Sequence, residues 1–226
     1  MRMAESRSQM VEIGRRLLEN QVVVDGQGNL SCRLPDQDLI AVTPSAVPYL
    51  DRKPEDICVT DVDGNLIEGN WKPSTEIELH MFFYQRRPDV KAVIHTHALY
   101  CSIYGISGEE ELPLVLNEAA MVLGQPVPVA PYARPGTREL ARGAFQATRD
   151  DGTAVIMAHH GLVTVGDTLD DAYAATMAAE HTAQAVCTVR SMGIEPRILP
   201  DEEVQELRRL YTEYGVEPTS SAQRTQ

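Results

Sequence analysis

Apolar residues recur along the chain with the two spacings that distinguish helices from strands. Residues 8–20 have the helical spacing, which predicts an amphipathic helix. Short apolar runs bounded by turn residues predict strands at residues 30–34, 39–43, 56–60, 65–67, 91–95, 127–130, 154–158 and 162–165, and an extended segment at 112–116. Further helices are predicted at about 75–87, 98–106, 137–148, 168–192 and 202–211.

Two of these helices have recognisable start signals. Thr75 followed by Glu78 fits a capping box, in which the hydroxyl and the carboxylate each accept a backbone N–H. Thr168 suits the N-cap of the longest helix, and Asp170 and Asp171 suit the positive end of its dipole. No internal repeat or linker interrupts the series, so we expect one α/β domain over residues 1–215 and a disordered polar tail over 216–226.

Charge and composition exclude several functions. The net charge of -13 argues against a nucleic-acid partner, because phosphate backbones are bound by Lys and Arg. No stretch approaches the ~20 apolar residues of a membrane span, and the first residues show no signal peptide. The four cysteines are scattered without paired spacing, which predicts reduced thiols and a cytoplasmic protein.

Four of the six histidines fall in two places, which suggests a metal site. His95 and His97 end a predicted strand, and side chains two apart point to the same face. His159 and His160 follow another strand, where neighbours face opposite ways, so at most one of them joins the same site. We choose His160, because Gly161 lets the backbone approach closely. The alternative is that these are polar residues at strand ends.

Three imidazoles with an open position are the pattern of a catalytic zinc. Mn²⁺, Co²⁺ or Ni²⁺ could substitute, because imidazole does not select sharply among these ions. Glu76 lies at the start of its predicted helix, where it either complements the helix dipole or serves the metal as a base. Glu78 is the better residue for the capping box, which leaves Glu76 free for chemistry. His80, one turn later, is interpreted as a residue behind the site and not as a ligand.

Three small-residue segments predict a place for a phosphate group. Ser74 and Thr75 offer hydroxyls and backbone N–H groups at a helix N-terminus, which binds anions readily. The turns at Gly28-Asn29 and Ser45-Ala46 are irregular and similar in composition. Together these segments would hold phosphate without many positive charges, which suits an acidic protein. The alternative for the helix start is that Thr75 only caps it.

These motifs resemble those of a known family. The chain is similar to class II sugar-phosphate aldolases of the fuculose-phosphate aldolase type, in the superfamily that also contains ribulose-phosphate 4-epimerases and the adducin head. The resemblance runs from about residue 8 to 215 and rests on Gly28-Asn29-Leu30-Ser31, Thr43-Pro44-Ser45-Ala46-Val47-Pro48-Tyr49, Asp61-Val62-Asp63-Gly64, Lys72-Pro73-Ser74-Thr75-Glu76, His95-Thr96-His97, Ala130-Pro131-Tyr132, Gly136-Thr137-Arg138-Glu139-Leu140 and His160-Gly161-Leu162.

The resemblance implies a fold and a reaction. We expect a central, mostly antiparallel β-sheet with helices packed on both faces. The expected reaction cleaves a ketose 1-phosphate to dihydroxyacetone phosphate and an aldehyde, through a zinc-stabilised enediolate. The implied metal ligands are His95, His97, His160 and, in the resting site, Glu76, which is also the base.

The implied phosphate-binding residues are Gly28, Asn29, Ser45, Ala46, Ser74 and Thr75. The resemblance also implies a homotetramer with active sites between subunits. Tyr214 matches a tyrosine that reaches in from the neighbouring chain.

The chain departs from the family pattern at two positions. Ala46 stands where the phosphate loop usually has Gly, a mild change if its φ is below zero. Asn117 stands where the aldolases have a tyrosine proton donor, so that Glu118, Tyr214 or a water must give the proton, and Asn117 would only contact substrate. Alternative reactions on the same site are 4-epimerisation, dehydration and decarboxylation. A more remote alternative is a non-catalytic binding module like the adducin head, which lacks the metal histidines.

Overall fold

A single mixed sheet organises the fold, as seen in a computed structural model that describes residues 3–34, 38–149 and 151–214. Within this part of the chain the sheet has nine strands in the order β4-β3-β2-β1-β5-β9-β8-β7-β6. The strands are β1 (Asn29–Arg33), β2 (Leu39–Val42), β3 (Cys58–Asp61), β4 (Leu66–Glu68), β5 (Ala92–Thr96), β6 (Glu111–Leu112), β7 (Val127–Ala130), β8 (Ala154–Met157) and β9 (Gly161–Gly166).

Pairing between these strands is antiparallel except where β7 lies parallel to β8. The helices are α1 (Met3–Glu19), α2 (Ile77–Arg86), α3 (Leu99–Tyr104), α4 (Asn117–Leu123), α5 (Arg138–Ala147), α6 (Leu169–Ser191) and α7 (Asp201–Tyr214). The predicted α/β class with a mostly antiparallel sheet is confirmed. The predicted tail over residues 216–226 lies outside the described residues, and the boundary at 215 stays a prediction.

Helices cover both faces of the sheet and bury two separate hydrophobic clusters. On one face α2 and α5 pack against side chains such as Val93, Val155 and Val163. On the other face α1, α3, α4, α6 and α7 pack against side chains such as Ile94 and Leu162. Because both faces are covered, β5 is buried along its whole length, which explains its continuous apolar run.

Two predicted features of the helices differ from the structure. The capping box of Thr75 and Glu78 is wrong, because α2 begins only at Ile77 and has Glu76 as its N-cap residue. An isolated bridge between Pro44 and Pro73 holds the preceding segment extended. The helix α4 was not predicted, because seven residues are too few to show helical periodicity.

The start of α6 agrees with the prediction. Thr168 is its N-cap, and its hydroxyl accepts the backbone N–H of Asp171 in a complete capping box. No helix in the described ranges combines the length and apolar character needed to cross a membrane.

Candidate metal centre and active site

The strand β5 carries His95 on the face of the sheet that α2 covers. Val93 belongs to the cluster under α2 and α5, and side chains two apart in a strand share a face. His97 follows the end of the same strand, and its ring centroid lies 5.0 Å from that of His95. The predicted pairing of these two imidazoles is therefore present in the structure.

His160 joins them from the turn between β8 and β9. The strand β9 pairs with β5 so that Leu162 lies opposite Thr96, which brings the residue before Gly161 beside the end of β5. The His160 ring centroid lies 4.8 Å from that of His95 and 5.1 Å from that of His97. A Cβ atom at Gly161 would lie 2.2 Å from the carbonyl oxygen of Thr96, so only glycine permits this approach.

Glu76 completes the group from the N-cap position of α2. Its Oε2 lies 3.2 Å from Nε2 of His95, and its Oε1 lies 3.3 Å from Nε2 of His160. Each of Glu76, His95, His97 and His160 offers one ligand atom, and these four atoms lie within 4.8 Å of one another. Three stretches that are far apart in sequence thus converge on one point.

The donor atoms of this group fit a divalent cation. Nε2 of His95, Nε2 of His97 and Oε1 of Glu76 are buried and have no hydrogen-bond partner. Leaving buried polar atoms unpaired is unfavourable, and a bound cation would remove that penalty. Three imidazoles and a carboxylate match zinc, and Mn²⁺, Co²⁺ and Ni²⁺ also bind imidazole.

The opposite ring nitrogens of two histidines are already fixed. Nδ1 of His95 donates to the carbonyl oxygen of Leu162 at 3.0 Å, and Nδ1 of His97 donates to Oε1 of Gln27 at 3.2 Å. A neutral imidazole whose Nδ1–H donates presents a bare Nε2, which is the form that binds a metal. Gln27 was not assigned this part from the sequence, although it lies in the turn before Gly28.

The electrostatics of the group suit a cation as well. Burial, together with the neighbouring His95 and His160, lowers the pKa of His97 to about 4. Burial raises the pKa of Glu76, but the close approach of the His160 and His95 rings to its carboxylate outweighs that effect and holds the pKa well below its usual value. At neutral pH the group therefore has an anionic carboxylate beside a neutral His97.

The two serines of the predicted phosphate site lie on paired segments. The backbone N–H of Ser45 donates to the Lys72 carbonyl at 2.9 Å, and that of Ser74 donates to the Thr43 carbonyl at 3.1 Å. Their hydroxyls, not these N–H groups, are therefore what they can offer to a ligand. Ser74 also accepts the backbone N–H of Glu76 on its hydroxyl at 3.2 Å, which links this segment to the metal group.

The turn at Gly28 connects the predicted phosphate loop with His95. A Cβ atom at Gly26 would lie 3.9 Å from Cα of Ala46, so the turn packs against that loop. At Gly28, φ is +80° and a Cβ atom would lie 2.8 Å from the carbonyl oxygen of His95. Ala46 has φ of 60°, so the condition under which alanine would be a mild replacement for glycine is not met.

Asn29 is largely occupied by contacts within the protein. Its side chain is buried, its Nδ2 donates to Oε2 of Glu76 at 3.0 Å, and its Oδ1 contacts Nε2 of His80. One amide hydrogen is left for a ligand. The structure thus places Asn29 beside the carboxylate that was predicted to be the base.

The remaining predicted residues lie outside this four-residue group. His159 has φ of 58°, and its ring lies 5.8 Å from the ring of Tyr132. Thr75 is exposed just before Glu76, and Asn117 is exposed in the first turn of α4. Tyr214 is the last residue of α7, and its side chain lies outside the described part of the structure.

Comparison with known proteins identifies the family. Residues 8–187 match the sequence profile described as "Class II Aldolase and Adducin N-terminal domain". The chain belongs to this family. This class II aldolase family member is 34% identical over 215 residues to the 5-deoxy-D-ribulose 1-phosphate aldolase of Bacillus thuringiensis serovar kurstaki, a match that covers 95% of this chain and 99% of the relative.

Two further relatives bear on the reaction. The chain superposes on a solved L-fuculose 1-phosphate aldolase with a TM-score of 0.86 and 34% identity, covering 92% of this chain and 96% of that one. It is 33% identical over 202 residues to the 3-oxo-tetronate 4-phosphate decarboxylase of Haemophilus influenzae, covering 88% of this chain and 93% of the relative. The resemblance to fuculose-phosphate aldolases and the lyase class of the family are confirmed.

Proposed function

We propose that the protein is a metal-dependent aldolase that cleaves a ketose 1-phosphate into dihydroxyacetone phosphate and an aldehyde. The observation that carries the proposal is the convergence of three imidazoles and Glu76, with ligand atoms within 4.8 Å of one another. His95, His97 and His160 would hold a divalent ion, zinc first, with Glu76 as fourth ligand in the resting site. When bound, the ion would supply Lewis-acid polarisation of a substrate oxygen.

Glu76 moves the proton at the carbon that is the nucleophile in the aldol direction. In cleavage the C4 hydroxyl loses its proton, the C3–C4 bond breaks, C4 becomes the carbonyl carbon of the released aldehyde, and the electron pair stays on the dihydroxyacetone phosphate fragment. Glu76 then gives a proton to C3, and in synthesis it removes that proton. Its side chain is only 13% exposed, so water competes poorly for the same position.

The substrate phosphate is proposed to lie against Gly28, Asn29, Ser45, Ala46, Ser74 and Thr75. Support comes from the packing of the turn at Gly28 on the Ala46 loop and from the link between Ser74 and Glu76. Both contacts support an anion-binding place next to the metal group. Asn29 has one free amide hydrogen for this purpose.

The second proton, on the aldehyde oxygen, is proposed to move through Tyr214 of a neighbouring subunit. Asn117 cannot donate a proton as a phenol does, so its part is limited to contacting the substrate. The proposed homotetramer has active sites at the interfaces between subunits. Exposed apolar side chains on α3 and just after it support this arrangement, because Leu99, Ile103 and Ile106 are 58%, 42% and 59% exposed and follow His97 closely.

The phosphorylated substrate and the four free cysteines are consistent with a cytoplasmic enzyme, which is also part of the proposal. The best substrate candidate is a ketose 1-phosphate with a short deoxygenated end, because the relative that aligns over 95% of this chain is named for 5-deoxy-D-ribulose 1-phosphate. Cleavage between C3 and C4 would then release acetaldehyde.

The test measures dihydroxyacetone phosphate release from 5-deoxy-D-ribulose 1-phosphate and L-fuculose 1-phosphate by the metal-loaded enzyme. We expect cleavage by wild type, none after chelation, and a loss of ~10²-fold or more in Glu76→Gln, in line with removal of a general base. Exchange of solvent deuterium into dihydroxyacetone phosphate isolates the step assigned to Glu76. Exchange at the wild-type rate in Glu76→Gln would remove Glu76 from that role.

Decarboxylation of a 3-oxo acid phosphate is the second candidate. Two observations favour it, namely Asn117 at the position of the aldolase tyrosine and the decarboxylase relative at 33% identity. Carbon dioxide release from 3-oxo-tetronate 4-phosphate, with no more than trace cleavage of both ketose 1-phosphates, would select it over the aldolase.

A further inference from the structure

Two rows of polar side chains face each other behind Glu76. One row lies on the helix side, with Glu76, His80 and Tyr84 spaced four apart at the N-cap of α2 and along it. The other row begins with Asn29 and Ser31, which are two apart on β1. Four residues of helix rise about 6 Å and two residues of strand about 6.7 Å, so the rows stay in step.

Hydrogen bonds connect the rows alternately into one chain. Nδ2 of Asn29 donates to Glu76 at 3.0 Å, and Oδ1 of Asn29 contacts Nε2 of His80. Nδ1 of His80 lies 2.6 Å from the Ser31 hydroxyl, which lies 2.7 Å from the Tyr84 hydroxyl. His80 and Ser31 are fully buried. The chain thus begins at the carboxylate and ends in the protein interior.

The chemistry of the amide sets the direction of every bond in this chain. An amide oxygen can only accept, so His80 must donate from Nε2 to Asn29. A neutral His80 then has a bare Nδ1, which must accept the hydrogen of Ser31, and Ser31 must accept that of Tyr84. Burial and nearby His95 lower the pKa of His80 to about 3, which keeps the ring neutral. Each donor therefore points towards Glu76.

We propose that His80, supported by Ser31 and Tyr84, is a positioning residue that fixes the Asn29 amide so that it donates to the Glu76 carboxylate. This inference rests on the proposed function, in which Glu76 is the base. The chain of hydrogen bonds does not conduct protons, because the amide of Asn29 cannot accept a proton on one side and release one on the other. Its effect is to hold one carboxylate oxygen in place and leave the other oxygen for chemistry.

The first measurement is made on metal-free wild type and needs no activity. Nitrogen-15 NMR of the histidine rings should show His80 as the neutral tautomer with hydrogen on Nε2, and Tyr84→Phe should shift its Nδ1 resonance. Hydrogen on Nδ1 of His80, a charged His80 ring, or an Nδ1 resonance that does not move in Tyr84→Phe would contradict the proposed chain of hydrogen bonds. This readout is independent of whether the enzyme is an aldolase.

The second measurement compares His80→Phe with His80→Gln. Phenylalanine removes both hydrogen bonds, whereas glutamine keeps an N–H for Asn29 and an oxygen for Ser31. We expect His80→Phe to keep its metal and KM within about twofold but to lose roughly 10- to 100-fold in kcat for deuterium exchange, as misplaced catalytic groups do. His80→Gln should recover most of that loss.

Thr176→Val is the matched control, because it removes a buried hydrogen bond between Thr176 and Thr164, 2.7 Å long, on the other face of the sheet. It should destabilise the protein without lowering kcat. Wild-type kcat in His80→Phe, with loss in Glu76→Gln, would overturn the positioning role alone. Wild-type kcat in both would overturn the proposed function. If His80→Phe does not fold, the NMR result and a comparison of kcat in His80→Gln and Ser31→Ala decide. Loss of kcat in Ser31→Ala but not in His80→Gln supports the chain of hydrogen bonds. An unchanged kcat in Ser31→Ala overturns it.

Discussion

Asn29 and His95 lie directly opposite each other in the antiparallel pairing of β1 with β5. Opposed residues share a face, so both side chains lie under the start of α2, and both contact the Glu76 carboxylate. The sheet register therefore decides which residues meet at the site. A shift of one residue between these strands would turn His95 towards the opposite cluster and dismantle the site.

The first prediction concerns the choice of histidines. His97→Ala and His160→Ala should each lose bound metal and activity together, because each removes one of three imidazoles from the group. His159→Ala should keep both, since its ring faces Tyr132. Metal content of the purified variants by mass spectrometry is the measurement. Loss of metal in His159→Ala with retention in His160→Ala would show that the third ligand is misassigned.

A second prediction uses two glycines. Gly161→Ala should destabilise the protein by several kcal/mol and weaken metal binding, because its Cβ atom would lie 2.2 Å from a backbone oxygen of β5. Gly143→Ala should stabilise it by about 0.5–1 kcal/mol, because Gly143 lies within α5 with no atom near the new methyl group. Urea denaturation measures both. A mild Gly161→Ala variant with normal metal content would contradict the close approach.

A third prediction concerns the strained residue of the proposed phosphate loop. Ala46 has φ of 60°, which costs an L-residue with a Cβ atom about 1–2 kcal/mol. Ala46→Gly should therefore be neutral or stabilising by up to about 1 kcal/mol. Ala174→Gly, in the second turn of α6, should cost about 1 kcal/mol. Equal destabilisation by the two variants would show that Ala46 is not strained.

The sequence predicts the strands of the sheet well but not the residue at which α2 begins, because local residues define the strands whereas a distant contact sets the start of the helix. The buried strands β5, β8 and β9 contain short apolar runs, and α6 has a complete capping box, so local residues define these elements. The capping-box spacing of Thr75 and Glu78 predicts that Glu76 lies inside the helix. The bridge between Pro44 and Pro73 delays the helix instead, and no local pattern reports such a distant contact.

The site divides in the same way. Strand alternation places His95 and His97 on one face, but the arrival of His160 depends on β9 lying next to β5, which spacing does not reveal. The contact of Gln27 with His97 depends on another long-range pairing, that of β1 with β5. The four-residue spacing of Glu76, His80 and Tyr84 and the two-residue spacing of Asn29 and Ser31 were visible, but only their contact gives those spacings a meaning.

A fourth prediction follows from buried His80 and concerns stability against pH. Its pKa of about 3 when folded lies below the ordinary value of about 6.5 in an unfolded chain. Between these values the unfolded chain binds a proton that the folded protein excludes, so stability falls as the pH falls. From pH 7 to pH 5 this amounts to about 2 kcal/mol in wild type.

His80→Gln should lack that share of the pH dependence. Urea denaturation of metal-free protein at both pH values gives the comparison, and the metal is removed because its own binding depends on pH. His97 titrates in the same direction in both proteins, so its effect cancels. An identical loss of stability in the two proteins would show that His80 is not the group responsible.

The last prediction concerns the proton on the aldehyde oxygen. If the enzyme is an aldolase, Asn117→Tyr should keep or raise cleavage of a ketose 1-phosphate, because a phenol would be added where Asn117 is exposed. Tyr214→Phe should lower it. The measurement is release of dihydroxyacetone phosphate. Unchanged cleavage in Tyr214→Phe would show that Glu118 or water, and not Tyr214, transfers this proton.

The central position of β5 in the sheet has a consequence for folding while the polypeptide is still being synthesised. Its two neighbours in the sheet are β1, synthesised long before it, and β9, synthesised long after it. Such non-local pairing slows folding. While the ribosome still holds the chain short of Gly161, β5 has no partner along the edge that later pairs with β9, and this edge includes the apolar residues Val93 and Ile94. Chaperones cover surfaces of this kind, which aggregate when they are left exposed. A prematurely terminated chain of this protein is thus an aggregation hazard and not only an inactive fragment.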